Sequence, residues 1–175
     1  MVATVLIREK NGAGETATDK TSGTVRFKNA DNATVDTADR LIIPSSLQEY
    51  SFRKVLRLNI SVVPAVDISN LKAYTDGANG FGTGVKAWYA TTGTYTQGTV
   101  PTETNDPPQF PGATPMVDLF GATSAAPIDM DAINAGPFTG TGDMGDYLNI
   151  VMEVETTAVQ GTLTAETLTF AYDET

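Results

Sequence analysis

Alternation constrains this chain most. From Tyr50 to Val63, Leu56, Leu58, Ile60 and Val62 share one parity, while Arg53, Arg57, Asn59 and Ser61 share the other. A period of two sends each set to its own face of an extended strand. The pattern returns over Tyr147 to Glu155, where Leu148, Ile150, Met152 and Val154 oppose Glu153 and Glu155. Burying the four side chains of the first run contributes at most roughly 6–12 kcal/mol. Against a net stability of about 5–15 kcal/mol, that makes this strand the anchor of the core. The outward arginines predict a half-exposed, antiparallel sheet with one wet face.

Further strands are expected over Val2 to Ile7, Thr24 to Lys28, Ile68 to Tyr74, Val85 to Ala90 and Thr167 to Tyr172. The last puts Leu168, Phe170 and Tyr172 on one side. Four glycines in Asp76 to Gly84 mark a turn, and a hairpin joining its flanking strands is the simplest product. Ser46 to Glu49 has capping-box spacing, which predicts one helical turn. A second such turn is expected in Pro127 to Gly136, where proline comes early and glycine stops it. Gly98 to Pro115 holds five prolines and reads as an extended surface loop. Gly140 to Gly145 reads as a turn. Many short strands with long connections predict an all-β fold: an antiparallel two-sheet β-sandwich or jelly roll with little helix. Asn11 to Gly23 is polar and offers too little apolar surface to offset its ordering entropy. Residues 1–23 are therefore expected to form a flexible N-terminal arm, and residues 24–175 a single β-sandwich domain.

Composition narrows the function. The chain carries 11 basic and 21 acidic residues, a formal net charge of -10, and no Cys or His. Nucleic-acid affinity rests on Lys and Arg displacing counterions from phosphates, so neither nucleic acid nor an anionic membrane is an expected partner. Without Cys or His there are no disulfides, no thiol nucleophile, no zinc site of the usual kinds and no imidazole acid–base chemistry. Met1 to Lys10 is too short and too weakly apolar for a signal peptide. No stretch approaches the ~18 apolar residues of a membrane-spanning helix.

Each candidate site has a plainer reading. Gly80, Gly82 and Gly84 lack the Lys and Ser/Thr of a phosphate loop, which favours a turn. Asp129 with Asp131, and Asp143 with Asp146, are loop acids that do not match the ligand spacing of a calcium loop. Glu153 and Glu155 are a formal glycosidase pair, but two carboxylates on one strand face suit ion pairs with Arg53 and Arg57 if those strands are neighbours. Pro108 to Pro111 is a PxxP segment without nearby basic residues. Asn32 and Asn59 begin glycosylation sequons. Trp88, Tyr89 and Tyr95 are a candidate sugar platform, although Trp88 and Tyr89 have opposite parity, so one is expected to pack inward. No catalytic, cofactor-binding or metal residue is assigned, and no enzymatic activity is expected.

Two stretches carry a resemblance. Arg57-Leu58-Asn59-Ile60 followed by Ile68-Ser69-Asn70-Leu71-Lys72 and a Gly-rich turn is one, and Gly161 through Glu174 is the other. Together they resemble segments of tailed-bacteriophage virion structural proteins. The resemblance implies a non-enzymatic decoration (cement) protein that binds the outer capsid surface and stabilises the shell. The implied partners are the major capsid protein and other copies of this chain; a homo-trimer suits a capsid three-fold site, though no residue demands one. The implied location is the capsid exterior, after synthesis in the host cytoplasm. An acidic protein is repelled by packaged DNA, which fits the outer surface. The arm, residues 1–23, is expected to order on the capsid, and its deletion to abolish binding while sparing the fold. The alternatives are a carbohydrate-binding β-sandwich module and a neck or tail component.

Overall fold

The structure is a computed structural model and describes residues 2–101, 107–110 and 114–175. In chain order the strands are β1 (Thr4–Asn11), β2 (Thr16–Asp19), β3 (Gln48–Tyr50), β4 (Lys54–Val62), β5 (Ile68–Tyr74), β6 (Val85–Thr92), β7 (Gln109–Phe110), β8 (Thr114–Pro115), β9 (Val117–Asp118), β10 (Ile128–Asp129), β11 (Gly142–Glu155) and β12 (Thr169–Glu174). One 3-10 turn, Leu119–Gly121, follows β9. The fold is all-β. A seven-stranded antiparallel sheet runs β2-β1-β4-β11-β6-β9, with β3 also paired to β11, and a three-stranded sheet runs β10-β5-β12. Leu56, Leu58 and Ile60 of the large sheet pack with Ile68, Leu71 and Ala73 of the small one, so the core lies between the two sheets.

The long alternations form the two central strands of the large sheet, β4 and β11, in register from Asn149 opposite Val55 to Ile150 opposite Lys54. Leu148, Ile150, Met152 and Val154 are buried as expected. The run from Tyr50 to Val63 is split, because Ser51, Phe52 and Arg53 leave the ladder between β3 and β4. β5 lies where the sequence placed it, and β6 extends its predicted strand by two residues.

Five expectations are corrected. Residues 2–23 are not a flexible arm: β1 pairs with β4 over seven residues and with β2 over four, inside the large sheet. Val5 and Ile7 share a face with Leu58 and Ile60, which supplies the apolar surface that the polar Asn11 to Gly23 lacks. Deleting residues 1–23 would strip two strands from the sheet, so that deletion cannot test binding alone. Second, β5 and β6 do not form a hairpin. They belong to different sheets, and Asp76 to Gly84 carries the chain from one to the other. Third, no helical turn forms at Ser46–Glu49 or Pro127–Gly136, where Gln48 to Tyr50 and Ile128 to Asp129 pair as strands instead. Fourth, Thr24 to Lys28 is irregular, with Val25 and Phe27 packed onto the core without a ladder. Fifth, the outer face of the large sheet is only partly wet: Asp19 and Ser61 are exposed on its β2–β1–β4 side, but its β11–β6 side is covered. Tyr50, Met116 and Val151 form a second apolar cluster there with Trp88 and Ala90.

Candidate functional site

The polar side chains of greatest interest gather at the β1 end of the large sheet, one group on each face. On the core face, Glu9 continues the parity of Val5 and Ile7, and Lys54 continues that of Leu56 and Leu58. Both are fully buried, at 0 % exposure. Lys54 Nζ lies 3.3 Å from Glu9 Oε1, and Lys20 Nζ lies 3.4 Å from Oε2. Asn11 donates to Glu9 Oε1 at 3.3 Å and to Asp31 Oδ1 at 3.2 Å. Burial pulls the Lys54 ammonium below the ordinary lysine range, against the opposing charge of Glu9.

Three ammonium groups then organise the irregular segment after β2. Lys20 donates to the carbonyls of Thr24 and Ala33, Lys54 to those of Ala30 and Asn32, and Lys28 to that of Thr34 and to Asp36. A loop with no ladder leaves carbonyls to satisfy, and buried lysines satisfy them here. The Lys28 hydrogen bond holds the Asp36 carboxyl below its usual range.

On the outer face the centre is a bulge. Between Met144–Leu58 and Leu148–Leu56, β11 inserts Gly145, Asp146 and Tyr147 opposite the single residue Arg57. Arg57 donates to the Gly145 carbonyl at 3.1 Å and to the Tyr147 hydroxyl at 2.5 Å, and its guanidinium lies over the Tyr147 ring. The Tyr147 hydroxyl donates to Glu15, and Lys10 reaches both Glu15 and Asp143. The tip of the β1–β2 hairpin is thereby clamped to the bulge. The Tyr95 hydroxyl adds a bond to the Gly12 carbonyl, with its ring beside Tyr147. Burial pushes both phenols up to about 12, aided by Glu15 at Tyr147 and by Asp31 and Glu15 at Tyr95. At Asp143 burial acts upward, but hydrogen bonds from Lys10 and Asn59 outweigh it and lower the carboxyl.

The acids singled out from sequence are dispersed among structural contacts. Asp146 is fully buried and accepts from the backbone N–H groups of Ile133 and Asn134, while Asp143 pairs with Lys10. Asp129 pairs with Lys72, and its bond with Asp131 lowers Asp129; burial, then that same bond, raise Asp131. Among the described residues, no group of three or more such ligands is placed to hold a metal ion. Glu153 and Glu155 meet Lys86 of β6, not Arg53 or Arg57, because β6 is the strand that flanks this part of β11. Glu153 is buried and also accepts from the Trp88 indole at 2.6 Å. Arg53, expected outside, is buried, donates to the Gln97 carbonyl and stacks over Phe110.

The aromatic trio is separated. Tyr89 packs on the main core, Trp88 joins the outer cluster, and Tyr95 is engaged at Gly12. Gly80, Gly82 and Gly84 lie in the crossover between sheets. Asn59 of the second sequon donates to Asp143 from inside β4, and the first, at Asn32, sits in the lysine-held loop. Gln109 and Phe110 of the PxxP segment form β7, whereas Pro111 lies outside the described residues, as do 102–106 and 112–113 of the proline-rich loop.

Sequence reasoning missed Glu9, Lys20, Lys28 and Lys54 altogether. The available signal was parity: Glu9 and Lys54 occupy slots that their strands otherwise fill with apolar residues. A separate open groove is lined by Asn29, Ile42, Pro44, Ser45, Gln48, Glu49 and Val100. On its rim Ile42 is 66 % exposed, and nearby Leu47 is 61 % exposed. No known protein family, curated protein or solved structure matches this chain.

Proposed function

We propose that this protein is a non-enzymatic structural component of a tailed-phage virion, docking on the outer capsid as a decoration protein. The observation that carries the reading is an exposed apolar rim on a scaffold whose buried polar groups hold loops in place. Ile42 and Val100 are exposed and line one groove, and Ile43 and Leu47, in the same stretch of chain as Ile42, are exposed as well. Exposed apolar residues gathered into one patch, unlike those scattered singly, are a feature of protein-contact surfaces. Its backbone is fixed from beneath: Lys28 ties Thr34 and Asp36, and Glu49 accepts from the Ile42 N–H and from Asn29. A prearranged surface loses little ordering entropy on docking. The net charge of -10 keeps the protein from packaged DNA and favours a basic partner face. Dispersal of Trp88, Tyr89 and Tyr95 leaves the carbohydrate-binding alternative without its platform.

The test is cosedimentation of the purified protein with heads stripped of their surface proteins, taken from the lysate that yields it. The wild-type chain is expected to bind. An Ile42→Asp, Leu47→Asp double variant is expected to keep its β circular dichroism and lose binding at least tenfold. Failure of the wild type to sediment with heads contradicts the proposal, and undiminished binding by the variant removes this face from it.

A further inference from the structure

We propose that Lys54 and Asn11 become joined by an intramolecular isopeptide bond, with Glu9 as the catalytic residue that moves the proton. Three observations meet at this spot. Lys10 opposes Val55 in the β1–β4 ladder, so the next step along the same register sets Asn11 across from Lys54, on the face that also carries Glu9. Glu9 Oε1 is 3.3 Å from the Lys54 amine nitrogen and 3.3 Å from the Asn11 amide nitrogen. Nucleophile and leaving nitrogen thus share one carboxylate oxygen, as a proton shuttle requires. Finally, all three side chains are buried, and the Asn11 carbonyl oxygen has no hydrogen-bond partner among the described residues. A buried orphan carbonyl calls for an explanation.

The step balances without a co-reactant. The neutral Lys54 amine attacks Asn11 Cγ and a C–N bond forms. Glu9 takes a proton from the attacking nitrogen and delivers it to Asn11 Nδ2. The Cγ–Nδ2 bond breaks, and ammonia leaves with the proton that the lysine ammonium first gave up. Nothing is oxidised or reduced. Burial eases that first deprotonation, since it disfavours the Lys54 ammonium. Charge is also relieved. Before reaction Glu9 faces both Lys20 and Lys54; afterwards it faces Lys20 alone. The new amide N–H finds an acceptor already in place in the Asn32 carbonyl, 2.7 Å from the lysine nitrogen. The product ties the hairpin to the central strand in a chain that has no cysteine.

Intact mass spectrometry of the full chain in denaturant tests this, using the folded fraction from gel filtration. The expected mass is lower than the sequence mass by one ammonia, and proteolysis should release a branched product joining the peptides that carry Asn11 and Lys54. Glu9→Gln and Lys54→Arg chains should both show the full mass. Asn11 precedes Gly12, and such a pair can lose ammonia alone by cyclising on its own backbone, so location matters. An ammonia lost within a single linear peptide overturns the proposal. So does the full sequence mass in the folded wild type.

Discussion

Tyr95 and Tyr147 show how individual groups couple the hairpin tip to the sheet. Each hydroxyl donates to the β1–β2 turn, one to the Gly12 carbonyl and one to Glu15. Their folded-state pKa values stand at about 12, raised from 10.0, first by burial and then by nearby carboxylates. A raised value favours the protonated form in the folded state. The associated stability is therefore complete below pH 10 and disappears as pH climbs from 10 to about 12. Alkaline titration followed by phenolate absorbance should show a late-ionising set of tyrosines that includes Tyr95 and Tyr147, together with loss of the fold. Six tyrosines titrating together near 10 would contradict the clamp. At this scale little was legible in the sequence. Glu9 and Lys54 drew no reading from the sequence, because burial of a charge depends on partners that are distant in sequence, here Lys20 and the carbonyls of Ala30 and Asn32. Arg53 misled in the same way, since nothing local announces Phe110 beside it.

At the scale of elements, the bulge in β11 is the joint on which the outer face turns. Gly145 has φ +67°, and a β-carbon there would stand 2.4 Å from the Met130 carbonyl oxygen and 2.5 Å from Leu71 Cδ1. Left-handed backbone costs a non-glycine residue about 1–2 kcal/mol, and overpacking adds about 1–3 kcal/mol. Gly145→Ala should therefore lower stability by about 2–5 kcal/mol in denaturant unfolding, and a loss below about 1 kcal/mol would contradict the close approach. The neighbouring Asp146 shows what the bulge does, as its carboxylate gathers the N–H groups of Ile133 and Asn134. β4, β6 and β11 were legible because alternating apolar side chains fill their core face, which period two records directly, although β11 is buried on its outer face as well. β1 was only half legible, since Glu9 interrupts its apolar parity. The bulge was read as a simple turn from its glycines, because composition at Gly140 to Gly145 does not say whether a ladder resumes on the same partner.

At the scale of the molecule, the small sheet and lysine-held loop cover one face of the large sheet, and the outer cluster covers the β11–β6 side of the other. The sandwich class was legible from strand number and spacing; the pairing of strands was not, since β1 sits beside β4 only through long-range contacts. The proposed partner surface is the groove lined by Ile42 and Val100, with exposed Leu47 nearby. The central claim is that this surface meets a capsid. Immunogold labelling of particles in the source lysate, with antibody to the folded protein, tests it most directly. Dense label distributed over heads is the expected result, whereas label confined to one vertex or to the tail, or particles without label, would contradict the assignment.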